Sequence, residues 1–116
     1  MKGERRRISQ ADLEEVIRRI VQTAQPDRII LFGSAARGVL EADSDLDLLV
    51  IKGGAFNRNH LLGEIYRRLR GVHVAVDVLL ATPEEIEQYA RFPFLVIAPA
   101  LEEGKEVYRA GEVAPD

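Results

Sequence analysis

The chain has 116 residues, 16 of them Lys or Arg and 19 Asp or Glu, for a net charge of -3; this is the size of one domain, expected over residues 1–116, with a core of modest extent. Hydrophobic residues make up 47% and charged residues 30%, as in an ordinary soluble globular protein, and no apolar run approaches the roughly 20 residues of a membrane helix. Cysteine is absent, which excludes disulfides, thiolate zinc sites and Cys nucleophiles, while the acidic balance argues against a dedicated nucleic-acid binder, which would carry a basic footprint.

The basic opening "MKGERRRISQ" has no apolar run behind it, so it does not read as a secretory signal and a cytoplasmic location is expected. Residues 1–8 and 110–116 read as flexible tails. "SQADLEEVIRRIVQTA" predicts the first helix, with Ser9 as N-cap, Asp12 closing a capping box, and Leu13, Val16, Ile17, Ile20, Val21 and Ala24 in one apolar stripe. Pro26 ends it. "DRIILFG" predicts a short strand, "SAARG" a tight or single helical turn, and "DLDLLVI" a second strand stopped by Gly53 and Gly54. "NRNHLLGEIYRRLRG" predicts a second helix, capped by Asn57 and stopped near Gly71, with Leu61, Leu62, Ile65, Tyr66 and Leu69 on one face. "HVAVDVLLA" predicts a third strand. "TPEEIEQYA" predicts a third helix, with Thr82 as cap, Pro83 at the first position and Glu85 closing a capping box. "FPFLVIAPALEEG" fits either a buried helix from about Pro93 to Glu103 or a stretch containing a strand, the helix being favoured because "ALEEG" ends in a C-cap glycine, and "KEVYR" reads as a last strand. The fold class is therefore α/β or α+β: a small mixed sheet backed by helices.

Two of these strands carry carboxylates where Leu, Val or Thr would be more stable. Side chains alternate along a strand, so Asp45, Asp47 and Leu49 share one face and Leu46, Leu48 and Val50 the other. In the third strand Asp77 likewise interrupts the face opposite Val74, Val76, Val78 and Leu80. If the two strands pair, three carboxylates converge, and their mutual repulsion calls for a cation among them. An all-carboxylate set with no His or Cys favours Mg²⁺, with Mn²⁺ as the alternative, shared with substrate phosphates. The contrary reading leaves these Asp residues solvated on a half-exposed sheet face.

"GSAARG" follows the first strand. Gly33 removes a side chain where a ligand would approach the backbone. Backbone N–H groups at the start of a helical turn, with the Ser34 hydroxyl, make a phosphate cradle, and Arg37 could add charge-assisted bonds. A lone Gly-Ser is usually only a turn; here it is joined by one short loop to the carboxylate pair. A nucleoside triphosphate with Mg²⁺ would satisfy both halves. No Gly-Lys-Ser/Thr follows, so this is not a Walker loop.

"LFGSAARG", "SDLDLLV" and "VAVDVLL" together resemble the minimal nucleotidyltransferases of the DNA polymerase beta-like superfamily over about Arg28 to Leu80. The resemblance implies a short mixed sheet backed by helices. It implies transfer of a nucleoside monophosphate, AMP from ATP, to a hydroxyl. Asp45 and Asp47 would be metal ligands, Asp77 would complete the metal site and help activate the attacking hydroxyl, and Gly33, Ser34 and Arg37 would be nucleotide-binding. Small members of this family pair with a helical HEPN-type protein as the antitoxin of a two-gene system, in some pairs adenylylating a Tyr of that partner. Two alternatives stay open: an antitoxin that neutralises its partner by contact without catalysis, and transfer to a small molecule. A homo-oligomer is also compatible with the sequence.

Arg68 and His73 carry the spacing of the HEPN nuclease signature, but that signature belongs on a helix, and Gly71 breaks the helix between them. Arg67, Arg68 and Arg70 read as a solvated helix end that favours the helix dipole, His73 as a strand-end residue, His60 as exposed, and Tyr66, Tyr89 and Tyr108 as core or edge residues. "FPFLVIAP" is the candidate partner surface, if it is not simply a buried helix.

Overall fold

In the computed structural model, which describes residues 9–33, 46–89 and 103–111, the elements run α1 (Gln10–Ala24), β1 (Arg28–Phe32), β2 (Leu46–Ile51), α2 (Arg58–Arg68), β3 (Val76–Ala81), α3 (Pro83–Tyr89) and β4 (Lys105–Arg109). The strands form one mixed sheet in the order β3-β2-β1-β4. β1 pairs antiparallel with both β2 and β4, whereas β2 and β3 are parallel and joined through α2, the kind of connection a parallel pair requires. The expected fold class is the one observed.

The helix termini follow from local chemistry. Ser9 Oγ accepts from Asp12 N at 3.1 Å and Asp12 Oδ2 accepts from Ser9 N at 3.1 Å, the reciprocal capping box expected for α1. Gln25 closes α1 in the left-handed region (φ 48°) ahead of Pro26. Asn57 Oδ1 accepts from His60 N at 2.9 Å to cap α2. Thr82 and Glu85 form the predicted box at α3, at 3.1 and 2.9 Å. The C-terminal end of α2 is held from α1: Arg19 donates to the carbonyls of Arg68 and Arg70 at 3.1 and 2.9 Å, and its guanidinium also meets Glu15 at 2.6 Å. Glu15 binds Arg18 as well, and the two guanidinium groups hold its carboxyl down to about 2.

The sheet has two unequal faces. On one, α1 and α2 bury Leu46, Leu48 and Val50 of β2, with Ile29 and Leu31 of β1 and Val78 and Leu80 of β3, against Val16, Ile20 and Ile65. Burying a side chain of this size contributes about 1.5–3 kcal/mol, an upper figure since the unfolded chain is not fully exposed. On the other face a second cluster, Ile30, Leu49, Ile51 and Ala81, packs with Phe32 and Leu79 and with Ile86 of α3 among the described residues. α3 is tied down by Arg58, which bonds the Leu80 carbonyl and meets Glu85 at 2.7 Å. The Arg58 guanidinium holds the Glu85 carboxyl below its ordinary value. Among the described residues, α3 covers this face toward the C-terminal ends of β2 and β3.

Two expectations shift. β3 begins at Val76, so His73 lies in an exposed bend ahead of the strand rather than starting it; the chain between Gly71, which has φ 91°, and Val76 is spent turning from α2 back to the sheet. Tyr66 stands outside the buried stripe of α2 and is 40% exposed. The segment read as a helix over Pro93–Glu103 lies outside the described residues apart from its end.

Candidate functional site

The site lies on the sheet face that carries the cluster of Ile30, Leu49, Ile51 and Ala81. The β2–β3 register sets Asp47 directly beside Asp77, and the β1–β2 register sets Phe32 beside Asp47. Paired residues on neighbouring strands share a face, so Phe32, Asp47 and Asp77 form a row across three strands spaced about 4.8 Å apart. The row lies where β1 ends and where β2 and β3 begin. Asp47 is half-buried and Asp77 is exposed. The convergence of the second and third strands expected from their Asp residues is therefore present for Asp47 and Asp77.

Gly33, the residue after β1, sets the third side. It has φ +77°, and a Cβ built on it would fall 2.2 Å from Asp47 Oδ2 and 3.1 Å from the carboxyl carbon. A side chain here is strained by the left-handed backbone, and its Cβ would oblige the Asp47 carboxylate to shift. The main chain leaving β1 thus passes in van der Waals reach of the Asp47 carboxylate, which joins the loop and the carboxylates into one locus.

Ser34, Arg37 and Asp45, the remaining expected site residues, lie outside the described residues, as does the turn expected at 34–38. Among the described residues no group of three His, Cys, Asp or Glu side chains could hold a metal ion; Asp47 and Asp77 supply two carboxylates, and a third ligand would have to come from elsewhere, with Asp45 the residue that strand alternation points to. The donor chemistry present, hard carboxylate oxygen beside open backbone, fits a divalent cation of the Mg²⁺ type. His73 takes no part: with Asp12, Glu15 and Arg19 it lines a separate cleft of about 230 Å³ against α1.

Two side chains that hold β3 escape a reading of the sequence. Tyr66 accepts a hydrogen bond from Val78 N at 2.8 Å, next to Asp77, and Arg58 bonds the Leu80 carbonyl toward the far end of the strand. The available signal was the position of Tyr66 one residue past the buried Ile65, at the margin of the apolar stripe, where a ring with a polar tip can reach an edge strand.

A family model described as a nucleotidyltransferase domain matches residues 13–105. Among solved structures, the fold is similar to that of a candidate nucleotidyltransferase from Sulfolobus solfataricus, at 17% identity and a TM-score of 0.56, over 95% of this chain and 94% of that one. It is also similar to a chain of the MntA–HepT toxin–antitoxin pair in a doubly substituted Asp-to-Glu form, at 17% identity and a TM-score of 0.58, over 84% of this chain and 73% of that one. No curated protein matches. Among the described residues no helix is long and apolar enough to cross a membrane.

Proposed function

The chain belongs to the nucleotidyltransferase domain family, and from that premise we propose that it transfers a nucleoside monophosphate, AMP from ATP, to a hydroxyl at the row formed by Asp47 and Asp77. The observation that carries this reading is the register pairing of these two carboxylates beside the Gly33 backbone. Asp47, Asp77 and Asp45 would hold the divalent cation, Mg²⁺ or Mn²⁺, that neutralises the triphosphate and stabilises the attacking and leaving oxygens.

The chain's own groups do the rest. The backbone from Gly33 and the Ser34 hydroxyl receive the terminal phosphates, and Arg37 adds a charge-assisted bond. Asp77, the more exposed carboxylate, faces the acceptor and takes the proton of its hydroxyl. The acceptor oxygen bonds the α-phosphorus while the bond to pyrophosphate breaks, and pyrophosphate leaves.

The acceptor we favour is a Tyr of a small helical HEPN-type partner, with this chain as the antitoxin of the pair. The fold similarity to a chain of a toxin–antitoxin pair supports that choice, as does the altered residue pair in that relative, spaced two apart as Asp45 and Asp47 are. The test incubates the protein with Mg²⁺ and each α-labelled nucleoside triphosphate, with and without the protein encoded beside it. Label on the partner, lost in Asp47→Asn, is the expected result. Neutralisation that persists in Asp47→Asn with no label transferred would establish the contact antitoxin instead. Label on a small molecule alone would move the acceptor out of the partner.

A further inference from the structure

β3 is at the edge of the described sheet, so among the described residues no strand lies beside one row of its backbone groups. Leu46 N donates to Ala75 O, and Lys52 N donates to Ala81 O, at 2.8 and 2.9 Å. The odd-numbered backbone groups of β3 therefore face β2, and by alternation the even-numbered ones face outward. Among the described residues two outward groups are bonded by side chains of α2: the Tyr66 hydroxyl accepts from Val78 N at 2.8 Å, and Arg58 donates to Leu80 O. Val78 is 6% exposed, so little water reaches that amide if the hydroxyl is taken away, and Tyr66 itself is 40% exposed. The ring is only partly buried, and the hydroxyl makes a directed contact at the edge of β3.

The peptide that Tyr66 fixes joins Asp77 to Val78. Its orientation sets the backbone angle of Asp77 and with it the direction of the carboxylate. Asp47 gains the same definition from strands on both sides, whereas among the described residues Asp77 has a strand on one side. We propose that Tyr66 is a positioning residue for Asp77: by anchoring the outer side of the Asp77–Val78 peptide, its hydroxyl aims the exposed carboxylate at the site. The proposal rests on the nucleotidyl-transfer reading above and adds to it a residue outside the motifs that carry that reading.

Tyr66→Phe removes the hydroxyl and keeps the ring. The expected outcome is a kcat lowered about three- to tenfold, the scale of one net hydrogen bond. The KM for the triphosphate should stay nearly unchanged, the Mg²⁺ concentration for half-maximal rate should rise, and the Val78 amide should exchange faster while Leu79, facing β2, keeps its protection. An unchanged kcat and Mg²⁺ midpoint with faster Val78 exchange would overturn the proposal, leaving Tyr66 as a guard of the edge. Unchanged Val78 exchange would overturn it too. Arg58→Gln separates aiming from loosening: it should lower the melting temperature without moving the Mg²⁺ midpoint, and an equal rise in that midpoint would contradict a specific role for Tyr66. If the wild type transfers no label, the nucleotidyl-transfer reading fails on its own. Mn²⁺ broadening of the Asp77 amide resonance, compared between wild type and Tyr66→Phe, still decides the positioning claim: a higher Mn²⁺ midpoint in the variant supports it, and equal midpoints contradict it.

Discussion

Asp47 and Asp77 stand side by side, yet the fold holds them by different means. Asp47 is in a central strand, flanked by β1 and β3, half-buried, with the Gly33 backbone against its carboxylate. Asp77 is exposed, in the strand at the edge of the described sheet, with β2 on one side and the Tyr66 hydroxyl of α2 bonding the next amide on the other. The central carboxylate sits on a strand paired on both sides, with main chain close against it. The edge carboxylate sits beside a peptide held by a side chain, which can be altered one atom at a time. A site built this way has a rigid half and a tunable half, and substitutions should separate them.

The largest effect is expected at the rigid half. Asp47→Asn should lower label transfer by more than the roughly 10- to 100-fold that losing an outer-shell partner of a metal site costs, because it removes a ligand charge itself. The melting temperature should barely move, which thermal unfolding monitored beside the assay will show. Gly33→Ala should come next, with transfer reduced about tenfold to a hundredfold by displacement of the Asp47 carboxylate. The positive φ adds a stability loss of about 1–2 kcal/mol, measurable by urea unfolding. A fully active Gly33→Ala would show that the contact with Asp47 Oδ2 is not what the position requires.

The same contrast extends into the core under the site. Leu48 is fully buried in β2, and Leu80 is 8% exposed in β3. Leu48→Ala should fall in the upper part of the about 2–5 kcal/mol that such truncations cost, and Leu80→Ala in the lower part, because the edge can relax into the space left. Equal losses in urea would mean that β3 is held as firmly as β2.

The smallest effect concerns the strap at the far end of β3. Bonding to Arg58, and to Thr82, holds the Glu85 carboxyl below its ordinary value despite the opposing effect of burial. A depressed folded-state pKa stabilises above the unfolded pKa, and that stability is lost as pH falls through the folded value. The melting temperature of Glu85→Gln should therefore lie below that of the wild type at neutral pH, and the gap should close in acid below the ordinary carboxylate range. A gap independent of pH would assign the loss to the cap geometry rather than to charge.

Much of this was legible beforehand where a residue's own chemistry decides. Ser9 with Asp12 and Thr82 with Glu85 announce helix starts because the bonds they make are local. The two faces of β2 follow from alternation alone, and so does the placing of Asp47 opposite the main core. What was not legible depends on partners distant in sequence. The register that sets Asp47 against Asp77, rather than against a neighbour one step away, is fixed by packing across the sheet. The contact between Gly33 and Asp47 needs the β1–β2 pairing before it exists. Tyr66 reads as one more apolar position until the edge of β3 lies within its reach.

The most direct measurement follows backbone amide resonances during titration of Mn²⁺ in the presence of a non-hydrolysable triphosphate analogue. The account predicts that Gly33, Asp47 and Asp77 broaden first and together, and that Asp47→Asn abolishes the effect. Broadening that begins elsewhere, as at Asp12, Glu15 and His73 in the cleft against α1, and spares this row would contradict it.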